Sequence, residues 1–273
     1  MSQYYYLVSG LPDLSPDDAK LSLGYVDYLG ELMQSLSGAD ARLLAYFRLP
    51  YENRNLLSWL RDKEAAFHPL GKITALQLRE QQENPDTLQE GLPPYFRQFF
   101  LELQEGQVAD GREENRLTEL FYDYAAQAPN AFVRRWFGFD RDLKNVCVAL
   151  NCRKYGLDTE GRLVGDGELC QQLGHSTARD FNASALFPPM EALLRLWEND
   201  DLLDREKKTD RLRWEFADEL CESHYFSVEV LLAYLVKLQG LERWMELDPK
   251  TGEETFRRLI ASLKDNVRIP AEA

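Results

Sequence analysis

A carboxylate and an asparagine one helical turn apart occur twice in this chain, as Glu52 with Asn55 and as Asp142 with Asn145. Side chains at i and i+3 share a helix face, so each pair presents its polar groups to the same neighbour. The chemistry open to such a pair is hydrogen bonding, either to a ligand or to the backbone of an adjacent loop. Catalysis requires more, and no nucleophile, general base or metal set accompanies either pair.

The other residues that could do chemistry are scattered. His68, His175 and His224 stand far apart, and Cys147, Cys152, Cys170 and Cys221 show no C-x-x-C spacing. Neither H-E-x-x-H nor a second cysteine pair completes a zinc set. The serines lack a G-x-S-x-G elbow, and no signature places a histidine beside a cysteine. Asp140 and Asp142 are close, but in a chain with 46 acidic residues such pairs are expected on solvated faces. The loop from Gly161 to Gly167 has three glycines without the Lys-Ser/Thr of a P-loop or the strand-then-helix context of a dinucleotide fold, which predicts an ordinary turn. No catalytic residue, cofactor site or metal site is expected, and the chain reads as a non-enzyme.

The two pairs lie in stretches that echo each other. At one constant offset, Phe47 aligns with Phe137, Glu52 with Asp142, Asn55 with Asn145 and Leu60 with Leu150. At about 100° per residue, Leu143, Val146, Cys147 and Leu150 form one face of the later helix, while Val148, Ala149 and Cys152 flank Asn145 on the other side. A helix apolar nearly all round runs through the interior, so Asn145 is predicted to be partly buried and hydrogen-bonded. Phe226, Glu229 and Leu232 resemble a third copy that lacks the asparagine.

Helix signals recur along the chain, and alternating strand patterns are scarce, which predicts an all-α protein of roughly ten helices. Ser15-Pro16-Asp17-Asp18 predicts a helix start running to about Leu36, and Ser37 to Asp40 a restart into a helix that Pro50 separates from the first acid-x-x-Asn helix. Thr74 with Gln77 forms a capping-box signature, closed by Asn84-Pro85. Pro93-Pro94 and Pro188-Pro189 open further helices, and Leu117, Leu120, Phe121 and Tyr124 stripe another that Pro129 ends. Phe132, Trp136, Phe137 and Phe139 form an aromatic lead into the second acid-x-x-Asn helix, and core packing is their expected role. Glu198 to Lys208 reads as a solvated charged segment, with Thr209 capping the helix after it. A buried helix follows Ser227, and Phe256, Leu259, Ile260 and Leu263 stripe a closing helix before a frayed tail. The chain divides into a single helical protein of three units, 1–90, 91–180 and 181–273.

With 44% hydrophobic residues and 12% aromatics, the 273 residues can fill a substantial core. The net charge of −14 argues against nucleic acid or an anionic membrane surface as the main partner. Sparse cysteines, no leader-like N-terminus and no apolar run near the roughly 20 residues of a membrane span predict a cytoplasmic chain without direct membrane insertion.

The opening Tyr4 to Leu14, the stretch Glu52 to Leu57 and Asp142 to Val146 resemble a bacterial family of uncharacterised proteins associated with V-type ATPases, over most of the chain. More distantly, the acid-x-x-Asn helices resemble the C subunit of the V/A-type ATPase central stalk, named d in eukaryotes, an all-helical protein of three similar units. That resemblance implies a noncatalytic coupling component of a proton- or sodium-translocating complex, seating the rotor shaft on the membrane proteolipid ring. Its implied partners are the central shaft and that ring, and its implied place is cytoplasmic, peripheral to the inner membrane through the other ATPase subunits. The alternative is a helical-repeat interaction module with an unrelated partner.

Overall fold

The computed structural model describes residues 4–18 and 20–246. The closing helix and tail expected beyond them lie outside the described residues. Eleven helices and no strand occur among those described, and the protein is all-α. In order they are α1 (Tyr5–Ser9), α2 (Tyr25–Ser35), α3 (Gly38–Arg61), α4 (Ala75–Glu83), α5 (Pro94–Gln104) and α6 (Glu113–Ala126), then α7 (Ala131–Tyr155), α8 (Glu168–His175), α9 (Met190–Trp197), α10 (Leu202–Glu219) and α11 (Val228–Glu246).

Local signals explain several boundaries. Thr74 and Gln77 form both bonds of a capping box at the start of α4. Asn130 caps α7 by accepting the Val133 N–H at 3.2 Å, and its amide donates to Glu229 on α11 at 2.8 Å. The Glu242 carboxylate, near the end of α11, accepts the Tyr25 N–H at 2.6 Å and so caps α2 from a distant part of the chain.

Three expectations are corrected. The described residues between 11 and 24 are not helical. The Asp18 carboxylate takes the Ser15 N–H at 2.7 Å and closes a turn in place of the expected helix start, so α2 begins only at Tyr25. Pro50 does not end a helix but sits inside α3. An interior proline costs about 3 kcal/mol, and burial of Phe47, Leu49, Leu56 and Trp59 along the same helix offsets it. Thr209 lies within α10, its hydroxyl donating to the Arg205 carbonyl at 2.9 Å, and the cap is Asp201, which accepts the N–H groups of Leu203 and Asp204. Much of the charged run 198–208 is therefore helix, with Arg205 buried.

The core comprises two apolar clusters, and α7 contributes to both. The larger holds Tyr28, Leu56, Trp59, Phe96, Leu117 and Leu231, among others. The smaller holds Leu143, Val146, Leu173, Phe181, Met190 and Leu193. The first part of α7 gives Phe132, Val133, Trp136 and Phe137 to the larger cluster, and the second gives Leu143, Val146, Ala149 and Leu150 to the smaller. At the seam Asp140 accepts from the Tyr122 hydroxyl at 2.9 Å and from Arg213 Nε at 3.0 Å, while Phe139 stacks on Phe216 with ring centres 4.0 Å apart.

Candidate functional site

Asn145 is fully buried on α7. Its Oδ1 accepts the Val164 N–H at 2.8 Å and its Nδ2 donates to the Val164 carbonyl at 2.9 Å. Val164 is itself 1% exposed, so both of its peptide groups depend on partners inside the protein. An amide side chain carries the same donor and acceptor as a peptide, and here it replaces a neighbouring strand. Gly165 follows at φ +88°, a left-handed backbone that glycine adopts without a Cβ penalty, and turns the chain toward α8. The glycine-bearing loop thus carries a structural clamp point.

The earlier helix repeats the device. Asn55, 1% exposed on α3, accepts the His68 N–H at 2.7 Å and donates to the His68 carbonyl at 3.3 Å. Glu52 adds to it, accepting the N–H groups of Lys72 at 2.8 Å and Ile73 at 3.2 Å, together with Arg48 at 3.2 Å. Arg48 also donates through Nε to the Leu70 carbonyl. Arg48, Glu52 and Asn55 therefore form one row on α3 that grips the backbone of the loop before α4. The grip is close, since a Cβ on Gly71 would lie 2.2 Å from Asn55 Nδ2.

Asp142 occupies the position of Glu52 but does something else. Its carboxylate pairs with Arg141 at 3.0 Å. Burial raises its titration above the ordinary aspartate range, and Arg141 opposes that shift only in part. Asp142 and Arg141 border a small cavity of about 200 Å³ at the start of α8, together with Val164, Gly167, Glu168 and Cys170. A pocket for a drug-sized ligand is about 300 Å³ or larger, so this space suits only a small group.

The remaining reactive types are kept inert or apart. Burial pushes the Cys147 thiol up to about 12 and the Cys221 thiol up to about 11, and raises that of Cys170. These groups are protonated thiols near neutral pH, and the nucleophile of cysteine chemistry is the thiolate. His68 accepts the Leu70 N–H on Nδ1, His175 ends α8, and His224 Nδ1 lies 3.7 Å from Glu229. Among the described residues no group of three or more His, Cys, Asp or Glu stands where it could hold a metal ion, and no helix is long and apolar enough to cross a membrane.

The structure brings Glu52 and Asn55 together at one loop and places Asp142 and Asn145 at another. Sequence reasoning missed Arg48, whose i, i+4 spacing to Glu52 was a usable signal. It also missed Gly71 and Val164, for which no local signal exists because their roles depend on the path of a loop.

No curated protein and no solved structure matches the chain. Residues 1–267 match the model of a family described as protein of unknown function (DUF2764), and the chain belongs to that family.

Proposed function

We propose that the chain is a noncatalytic coupling component of a V/A-type rotary ATPase, similar to the C subunit of the central stalk, linking the rotor shaft to the membrane proteolipid ring. One observation carries this reading: the repeated acid-x-x-Asn helices, on which that similarity rests, each hold a following loop through a buried amide. The motif's two amides are engaged in fixing loops onto a helical body, which is what a coupling piece between two larger assemblies requires. On this reading the protein sits in the cytoplasm, held at the inner membrane by the other ATPase subunits.

Affinity purification of the tagged chain from its native cells tests the proposal. Shaft and ring subunits should accompany it, and deleting the chain should uncouple the complex while ATP hydrolysis by the detached head persists. Absence of every ATPase subunit, or loss of head hydrolysis itself, would overturn it.

A second reading is a helical interaction module with an unrelated partner. It is favoured by the burial of Asn55 and Asn145, because a motif spent on internal loops specifies the scaffold and not what binds to it.

A further inference from the structure

We infer that the face formed by α1, the segment leading into α2 and the loop before α11 docks a basic amphipathic segment of a partner protein, in which arginine or lysine alternates with apolar residues. The inference rests on the reading of this chain as an interaction protein and does not depend on which complex it joins.

Three observations point to that occupant. First, aromatic side chains crowd the surface there. Tyr6 is 90% exposed, Tyr225 75% and Tyr5 52%, and the Tyr5 ring lies 4.8 Å from Phe226 and 5.6 Å from Tyr6. Exposed tyrosines beside a cleft are the side chains that most often anchor protein partners, and their faces attract cations. Second, an apolar cleft of about 180 Å³ opens beside Tyr6, bordered by Leu7, Leu11, Leu23, Tyr28 and Glu31. It has the size for one or two apolar side chains and not for a folded ligand.

Third, the surrounding charge is predominantly acidic. Between residues 4 and 36 the acids are Asp13, Asp17, Asp18, Asp27 and Glu31, and Lys20 is the only base. None of these acids forms an ion pair among the described residues, whereas Arg48, Arg116, Arg213 and Arg243 elsewhere on the fold are all paired. Asp13, Asp18 and Glu31 all act on the phenol of Tyr234, which packs edge-on against the cleft residue Tyr28 at 4.9 Å and has no hydrogen-bond partner among the described residues. Like charges gathered around an apolar cleft repel one another, and a cationic partner relieves that repulsion while its apolar residues fill the cleft.

The same charge excludes other occupants. An anionic membrane or a nucleic acid would meet these carboxylates unfavourably. A second copy docked face to face would oppose identical acids, which costs binding energy.

The test uses the full chain and a fluorescently labelled amphipathic peptide of leucine and arginine, followed by anisotropy. Binding should saturate, weaken on raising salt from about 0.1 to 0.5 M, and vanish for a twin peptide with glutamate in place of arginine. Tyr6→Ser and Glu31→Gln are exposed changes that should leave the thermal midpoint unaltered, and each should weaken binding by about tenfold, as expected for an anchor residue. Glu64→Gln and Glu83→Gln, exposed acids after α3 and at the end of α4, should leave binding unchanged. Equal losses in both sets, no loss in the first set, preference for phosphatidylglycerol vesicles over the peptide, or self-association abolished by Tyr6→Ser would each overturn the inference. Co-purification of ATPase subunits undiminished by Tyr6→Ser would sink this face and leave the proposed function standing. Peptide binding without any such subunits would do the reverse.

Discussion

Asn145 and Val164 exchange two hydrogen bonds, at 2.8 and 2.9 Å, in the manner of paired strand residues, although one partner is a helix side chain and the other a loop backbone. Both residues are buried, so bulk water does not compete for either bond in the folded chain. Asn145→Leu would orphan the Val164 N–H, at about 1–3 kcal/mol, and leave the Val164 carbonyl only the weak Cys170 thiol donor at 3.4 Å. The expected loss is about 2–4 kcal/mol, read from the urea midpoint at unchanged slope. Asn55→Leu should lose less, because His68 is only part-buried and its carbonyl accepts at 3.3 Å. A loss at Asn145 within about 0.5 kcal/mol would show that the loop re-pairs elsewhere.

Two glycines should respond to alanine with opposite signs. A Cβ on Gly71 would meet Asn55 Nδ2 at 2.2 Å and Glu52 Oε2 at 2.7 Å, so Gly71→Ala must push apart the row that grips the loop. We expect a loss of about 1–3 kcal/mol, typical of overpacking. Gly138 lies inside α7, and a Cβ there would have nothing within 4 Å. Gly138→Ala should raise stability by about 0.5–1 kcal/mol through the unfolded chain's entropy. Thermal midpoints moving in the same direction for both variants would refute the packing argument.

Asp142 and Glu102 should make opposite contributions to the acid limb of stability. Burial raises the folded-state titration of Asp142, so the native chain holds that proton more tightly than the unfolded chain. Stability from this group is then greatest below the unfolded value of about 3.9 and falls as pH rises through the raised folded value. Arg116, donating at 2.6 Å, lowers the titration of Glu102. Its contribution is present above about pH 4.3 and is lost as pH falls through the lowered folded value. Asp142→Asn should therefore gain on the wild type as pH rises from the acid range to neutral, and Glu102→Gln should lose ground over the same interval. Parallel pH curves for wild type and Asp142→Asn would contradict the assignment.

What was legible in the sequence was local. The capping box of Thr74 and Gln77 needs only four residues in register, and the burial of Asn145 follows from apolar neighbours on both sides of one helix. Ser15 to Asp18 misled because the same residue types suit a helix cap and a side-chain-closed turn, and only packing against the rest of the fold decides between them. Pro50 misled because a local cost was outweighed by distant contacts of Phe47 and Trp59. At the site, the helix half of each clamp could be located, whereas His68 and Val164 could not, since a loop backbone carries no residue-type signature for being gripped.

The seam on α7 offers a test of how the two apolar clusters are coupled. Arg213 bridges Asp140 at 3.0 Å and Asp210 at 2.9 Å, and Asp210 is also held by Arg243. These side chains are less than one-third exposed, apart from Arg243, so removing the bridging cation leaves two carboxylates close together in a poorly solvated place. Arg213→Met should cost about 2–4 kcal/mol, somewhat below a fully buried pair because solvent reaches part of the site. Asp140→Leu alone leaves Arg213 paired with Asp210, so its cost should be smaller. Combining the two removes the isolated Asp140 charge, and the double variant should be more stable than the sum of the single losses predicts by about 1–2 kcal/mol. Strict additivity in that cycle would mean that Asp140 and Arg213 do not interact energetically, and that their ion pair adds nothing to the seam beside the stack of Phe139 on Phe216.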